Sequence, residues 1–569
     1  PVTGDLFKNK LRQRNNSEYY HMVDAYLSYD NTFNHHHIRG LVGFNYEQDY
    51  QKNLYSTMMD IQSNNLNDFN LGNHTEGVSL EGGQYEWALE SFFGRVGYDW
   101  KGRYLAEVNL RWDASSRFRR DKRAAVFPSV SAGWRVSEEP FFAPIRNTFS
   151  NFKIRGSFGS LGNQAISSPY PYIQTLDLLQ QNYLVNGEFL TYASVSAPTA
   201  GNFTWETVVH GNLGLDLGFF NNRLTFAGDL YIRDTKDMLV PGKTLPGVYG
   251  AASPKENAAD LRTKGYELTL SWNDKFNLAG KPFTYGVSFA LGDNISKITK
   301  YDNPTKDFNV SQYYEGMTIG EIWGYKIDGL FKTDEEAAAY QAEIDHSLIA
   351  KNILQTATGK YKGLKAGDPK FVDLDGNGRI DDGEKTANNR GDMRVIGNSR
   401  PRYNYSGSIN LGWNGFDISA FFQGVGRQHR YPDGNAMLFW GGYARPYSSF
   451  VPEHFLDDVW SEDNPDAYFP KLRGYAAQGD RHLAKVNNRY LQNTAYCRLK
   501  NLTVGYTLPV DLTRKARIDR VRVYFSGDNL VTWTALKSKY IDPEQFSTDG
   551  SARVYPFAKT FSFGLDITF

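Results

Sequence analysis

Twelve consecutive residues, Asp373-Leu-Asp-Gly-Asn-Gly-Arg-Ile-Asp-Asp-Gly-Glu384, set oxygen-bearing side chains at the first, third, fifth, ninth and twelfth places. A hard cation such as Ca2+ takes about six to eight oxygens and tolerates irregular angles, which is the chemistry this spacing serves. Asp373, Asp375 and Asn377 would supply side-chain oxygens, Arg379 its backbone carbonyl, Asp381 a direct or water-mediated contact, and Glu384 both carboxylate oxygens. Gly378 stands where the loop needs freedom in φ, and Ile380 can anchor the loop on neighbouring apolar side chains. The competing reading is a rigid Asp/Gly turn whose carboxylates meet only water or arginine. With no long flanking helices, a structural clip is expected here and not a signalling EF-hand.

Other chemically capable residues are weaker candidates. His35, His36 and His37 are adjacent, but neighbours on a strand point to opposite faces, so a turn or strand end is expected and not a metal site. Trp440, Tyr443, Tyr447 and Trp460 present aromatic surface that can stack on sugars, bury peptide side chains or meet a lid partner, with ordinary loop packing as the alternative. Asp381 and Asp382 are better explained inside the acidic loop than as a catalytic carboxylate pair. No nucleophile motif, zinc-ligand motif or glycine-rich phosphate loop occurs, so no enzyme is expected. Cys497 has no internal disulfide partner.

The elements that must position these residues are strands. Phe561, Phe563, Leu565, Ile567 and Phe569 alternate with Ser562, Gly564, Asp566 and Thr568, and Tyr104, Ala106, Val108, Leu110 and Trp112 alternate with Leu105, Glu107, Asn109 and Arg111. Further strand candidates lie at residues 17–29, 37–49, 125–136, 152–158, 224–232, 266–272, 285–291, 499–508 and 521–525. Residues 405–413 and 416–422 read as a hairpin across Asn414-Gly415. Residues 51–86, with a helical turn at 57–61, and 162–202 read as long polar loops. Residues 424–488 form a loop-dominated insertion of the kind that usually carries function. One helix is expected over residues 333–349, opened by a capping box between Thr333 and Glu336.

Lysine plus arginine and aspartate plus glutamate both number 63, so nothing points to nucleic acid. Aromatic residues reach 15% and no run of eighteen apolar residues exists. That combination excludes a membrane-crossing helix and suits either a β-barrel, whose strands need only about 9–11 residues each, or a secreted glycan-binding or adhesion protein built of sandwiches or a propeller. Closure into a barrel would remove the exposed edges that long strands otherwise present. No internal repeat or linker marks a domain boundary.

The segments GRVGYDWKGRYLAEVNLRWDASSRF, FPSVSAGWRVSEEPFF, GDPKFVDLDGNGRIDDGE, VIGNSRPRYNYSGSINLGWNGFDISAFFQG and CRLKNLTVGYTLP, with the terminal strand ending in Phe569, resemble the barrel region of SusC/RagA-like TonB-dependent transporters. The resemblance implies an all-β, large antiparallel transmembrane barrel, 22-stranded in the complete protein and multi-pass in the outer membrane. Residues 1–569 would cover most of its wall. The N-terminal plug and TonB box would lie upstream of Pro1, where neither an initiator methionine nor a signal peptide is found. A SusD-like surface lipoprotein would cap the barrel, TonB-ExbB-ExbD would energise it, and oligosaccharides or peptides would be the cargo. A siderophore or cobalamin receptor would share the wall without the lipoprotein. The family's acidic loop maps onto Asp373 to Glu384, supporting a bound ion. Its Asn-Pro and Leu-Lys-Asn regions map onto Asn464-Pro465 and Leu499-Lys500-Asn501 as fold determinants.

Overall fold

The computed structural model describes residues 9–569 apart from positions 64, 75–76, 165, 167–169, 197, 200, 202, 243–247, 249–252, 309–312, 351–362, 450, 452, 480, 539–540, 549–550, 552–554 and 556. Among the described residues the fold is dominated by strands. Fifteen form the main sheet: Lys10–Phe33, His36–Met59, Ser79–Trp100, Tyr104–Ser115, Ala124–Arg135, Phe149–Asn163, Glu206–Phe219, Leu224–Pro241, Lys255–Leu278, Lys281–Lys300, Arg402–Trp413, Phe416–Arg427, Tyr496–Thr507, Arg520–Thr534 and Thr560–Thr568. Each strand neighbours its sequence successor in the sheet, so the topology is a meander. No helix among the described residues is long and apolar enough to cross a membrane.

The chain divides into two compact units. The first comprises Pro1–Trp134, Gly156–Gly211 and Asp234–Asp260, and the second comprises Arg135–Arg155, Asn212–Arg233 and Leu261–Phe569.

In the first unit, strict antiparallel registers carry the alternation across neighbouring strands. Phe44 faces Phe92, Phe92 faces Trp112 and Trp112 faces Val126, while Trp100, Tyr104 and Trp134 form a second aromatic row beside the Lys101-Gly102 turn. Between these rows Val96, Val108 and Val130 stand exposed. The other face is polar, and there Arg111 pairs with Asp113 at 2.7 Å and donates to Ser91 at 2.8 Å. A face of exposed valines and aromatic rings opposite a face of paired charges is the arrangement of a sheet whose solvent is apolar on one side.

The strands outrun their sequence signals. Residues 36–59 are continuous strand, so the helical turn expected at 57–61 is absent and the expected loop shrinks to the stretch between Met59 and Ser79. Antiparallel partners such as Gln51 with Tyr85 and Tyr55 with Glu81 keep pairing where alternation has lapsed. The 162–202 stretch, whose last residue lies outside the described residues, contains a small hairpin of Leu176–Gln180 with Thr191–Val195. His36 meets the Tyr98 hydroxyl at 2.7 Å and His37 meets Asp30 at 2.8 Å, so neighbouring histidines serve opposite faces at a strand start.

In the second unit, Tyr285, Leu411, Ile418, Val504, Phe525 and Phe563 form one row across six strands. The terminal strand completes the row with its apolar side outward: Phe563 is 85% exposed, and Phe561, Leu565 and Ile567 are exposed beside it. On the opposite face Arg522 bridges Asp417 at 2.6 Å and Asp566 at 3.3 Å. The Asn414-Gly415 turn is tight, with φ of 48° and 88°, the left-handed pair that the hairpin signal requires.

The second unit also folds its long insertions around a core of their own. Phe371, Phe439, Trp440, Tyr443, Phe455, Phe469 and Tyr490 are buried together. Phe439 meets Trp440 edge-on at 4.7 Å, and Phe469 stacks on Tyr490 at 6.0 Å. Their polar ends are satisfied: the Trp440 indole donates to the Asp433 carbonyl at 3.0 Å, and the Tyr490 hydroxyl to that of Tyr468 at 3.3 Å. Short pairs such as Glu321–Gly324 with Arg394–Asn398 and Ile327–Leu330 with Pro369–Phe371 brace this region.

Candidate functional site

The acidic loop is held between the helix and the aromatic core. Thr333 caps the helix Asp334–Glu343 by accepting from the Glu336 amide at 3.2 Å, and the Glu336 carboxylate accepts from the Lys332 amide at 2.8 Å. The helix ends sooner than residue 349. The Asp345 amide donates to the Gly378 carbonyl at 2.8 Å and the Ile380 amide to the Asp345 carbonyl at 2.8 Å, so this backbone is committed to the loop, and a separate turn of helix begins at Ser347. Ile380 is buried in the core, which fixes the loop from its other side.

Within the loop, Asp373 accepts from the amides of Gly376 at 2.7 Å and Gly378 at 2.8 Å. Gly378 has φ of 77°, the left-handed turn its position called for. Burial raises the Asp373 pKa, but the amides of Gly378, Gly376 and Asn377 outweigh it and hold the carboxyl below the usual range. Asn377 donates to Asp375 and Asp381, each at 3.3 Å, and its oxygen accepts from the Arg379 amide at 2.8 Å.

Three carboxylates converge: Asp373, Asp375 and Asp392, each offering an oxygen within 4.8 Å of the others. Asp392 lies outside the twelve-residue pattern. It is fully buried and accepts from the amides of Leu374 and Asp381, the latter at 2.9 Å. Burial, opposed by those amides and reinforced by the charges of Asp375 and Asp373, holds its pKa above the ordinary carboxylate range. A buried carboxylate beside two others is costly without a cation, and that cost is what makes the donor set fit a hard divalent ion. Asp381 stands beside the group, its oxygens taken by Asn377 and the Gly383 amide. Glu384 is exposed and outside the group.

The four aromatic candidates part company. Trp440 and Tyr443 are fully buried and Trp460 is buried against Leu330 and Ala467, so these three hold the insertions together and offer no free ring face. Tyr447 is 92% exposed. Asn464 donates to the Asp457 carbonyl at 2.8 Å, Lys500 pairs with Glu544 at 2.8 Å and Asn501 donates to Asp528 at 2.8 Å. Arg498, almost wholly buried, forks to Asp542 and Glu544 and lies 5.0 Å over the Phe557 ring. These contacts tie loop segments to neighbouring backbone and strands.

Composition gave no sign of a pocket on the second unit's sheet. It has a volume of about 570 Å3 and is lined by Glu267, Asn294, Asn404, Ser406, Phe421 and Gln423, among others. An exposed ring amid amides and the carboxylates of Glu267 and Asp293 can hold a polar molecule with a flat apolar patch. The pairing register, which sets Ser406 opposite Gln423, brings its lining together.

The model of the family described as TonB dependent receptor-like, beta-barrel matches residues 3–343. A protein called TonB-dependent receptor P3, from Formosa agariphila, is 29% identical over 96% of this chain and 52% of its own length. TonB-dependent receptor SusC of Bacteroides thetaiotaomicron is 29% identical over 84% of this chain and 44% of its own. Among solved structures, the RagAB peptide importer in an open-open state superposes with a TM-score of 0.74 at 22% identity, over 98% of this chain and 56% of that one. The chain thus spans about half the length of the curated relatives it matches.

Proposed function

Since this chain belongs to the TonB-dependent receptors of the SusC/RagA type, outer-membrane transport proteins and not enzymes, we propose that it supplies most of a 22-stranded barrel wall that imports oligosaccharides or peptides. The observation that carries this reading is the exposed apolar side chains of the strands in each unit, Val108 among them in the first and Phe563 in the second. A sheet packed on a soluble core would seal those side chains, whereas a wall in lipid presents them. The RagAB protein that shares this fold is a peptide importer, and we extend that cargo class to this chain alongside oligosaccharides.

In the complete protein, further strands and a plug close the barrel and TonB-ExbB-ExbD drives it. A SusD-like lipoprotein covers the insertions, with Tyr447 as a contact for lid or cargo, and the Glu267-to-Gln423 pocket faces the path of the cargo. A Ca2+ ion clips the acidic loop through Asp373, Asp375 and the buried Asp392, with Asn377 and the Arg379 carbonyl completing the shell. Its role is structural, tying the loop to the helix end and to Ile380.

The test is purification of the complete protein from its native membrane, followed by mass spectrometry of associated proteins and retained small molecules. Copurification of a surface lipoprotein with peptides or glycans is expected. Retention of a siderophore or cobalamin without a lipoprotein would replace this reading with that of a metal-chelate receptor, and solubility without detergent would overturn both.

A further inference from the structure

We propose that the lipid-facing side of the first unit holds one membrane-lipid acyl chain in a groove floored by Gly40 and Gly94. The groove has a volume of about 690 Å3, and Leu27, Tyr29, Val42, Phe92, Val96 and Leu110 are among its lining residues. The register explains its shape. Gly40 pairs with Val96 and Val42 with Gly94, so the two glycines lie diagonally across neighbouring strands with branched side chains at the alternate corners. Tyr29 and Leu27 close one side and Val108 and Leu110 the other.

Neither glycine is required by its backbone. Their φ angles are not positive, and a Cβ would meet nothing nearer than 4.0 Å at Gly40 or 3.7 Å at Gly94. At Gly43, on the opposite face, a Cβ would fall 2.4 Å from the Phe93 ring. What Gly40 and Gly94 contribute is therefore the open space above them.

Depth and chemistry identify the occupant. The groove starts at the Phe92 row and runs toward the Trp100 row, which lies eight residues, or about 26 Å of strand at the usual rise, farther on. With barrel strands tilted by about 35–45°, that length of strand spans about 19–22 Å of height, which lies inside an apolar band of about 25 Å. Arg95 borders the groove, but alternation sends its side chain to the polar face, so no charge is offered to a headgroup. This inference rests on the proposed reading that the apolar face meets lipid, and in that solvent binding comes from shape and dispersion contact with fixed walls. A flexible hydrocarbon chain meets those conditions.

The test uses the complete protein, extracted in detergent, exchanged extensively into lipid-free detergent and assayed by mass spectrometry for retained phospholipid and lipid A. Gly94→Phe fills the groove from one end and Gly40→Phe from the other, while Ala106→Phe adds the same ring to the same face outside it. Wild type and Ala106→Phe should retain lipid, and each glycine variant should lose about tenfold. If one glycine variant fails to fold, the other decides. Equal retention in wild type and both glycine variants would overturn the proposal, as would equal loss in Ala106→Phe. Loss of a dimer without loss of lipid would assign the groove to a second copy and overturn it too.

Discussion

Phe563 and Trp440 belong to the same compact unit and the same aromatic class, yet one is 85% exposed and the other fully buried. Phe563 stands in a row of rings and branched chains that no other segment covers among the described residues; Trp440 is enclosed by Phe439, Phe469 and Tyr490. An aromatic content of 15% thus divides between an exposed row on the sheet and a buried core in the insertions. On the proposed reading, the rings of the sheet face lipid and gain little from burial, because hydrocarbon surrounds them either way. In the insertions the same residue types build a buried core of their own.

The sharpest way to break this comparison is truncation at both places. Trp440→Ala should cost about 3–5 kcal/mol and open the insertions to protease, whereas Phe563→Ala should cost under about 1 kcal/mol in bilayers. Similar losses in unfolding experiments would mean that the two aromatic sets share one environment. Charge placement sharpens it next. Val108→Arg should destabilise the membrane-inserted protein by about 2–4 kcal/mol, while Asn109→Arg, one residue on and facing the polar side, should be near neutral by the same unfolding assay.

The insertions offer three smaller tests. Asp392→Asn should weaken Ca2+ binding about 10–100-fold in calorimetry, whereas Glu384→Gln should change it far less. His482 is buried with neither ring nitrogen hydrogen-bonded, and burial, aided by Arg473 and Arg481, pushes its pKa down to about 3. The unfolded chain takes up that proton from about pH 6.5, so stability is full above that pH and falls by up to ~1.4 kcal/mol per unit as pH drops toward about 3. His482→Phe should flatten that slope in thermal melts. Tyr447→Ala should leave stability within about 0.5 kcal/mol, and its effect should appear only in lipoprotein copurification or cargo retention.

Much of the wall was legible because alternation is a local property. Phe561 to Ile567 and Tyr104 to Trp112 showed it, and Asn414-Gly415 announced its turn through backbone sterics alone. Strand lengths were not legible: Gln51 and Tyr55 continue their strand because Tyr85 and Glu81 lie opposite, and a pairing partner does not appear in the residues it pairs. The helix start at Thr333 was visible in its cap. Its end was not, because Asp345 bonds to Gly378 and Ile380 far along the chain.

The acidic loop divides in the same way. Asp373, Asp375 and Gly378 were identified by spacing, since a tight turn brings near neighbours together whatever surrounds them. Asp392 enters from outside the spacing window, and Trp440 and Tyr443 exchanged a free ring face for a place in the core. Residue order by itself determined alternation, turns, caps and the loop's local geometry, all governed by dihedrals and hydrogen bonds within a few residues. Only the tertiary structure decided which apolar groups are covered and which carboxylates meet, because burial and charge proximity depend on what distant segments bring alongside.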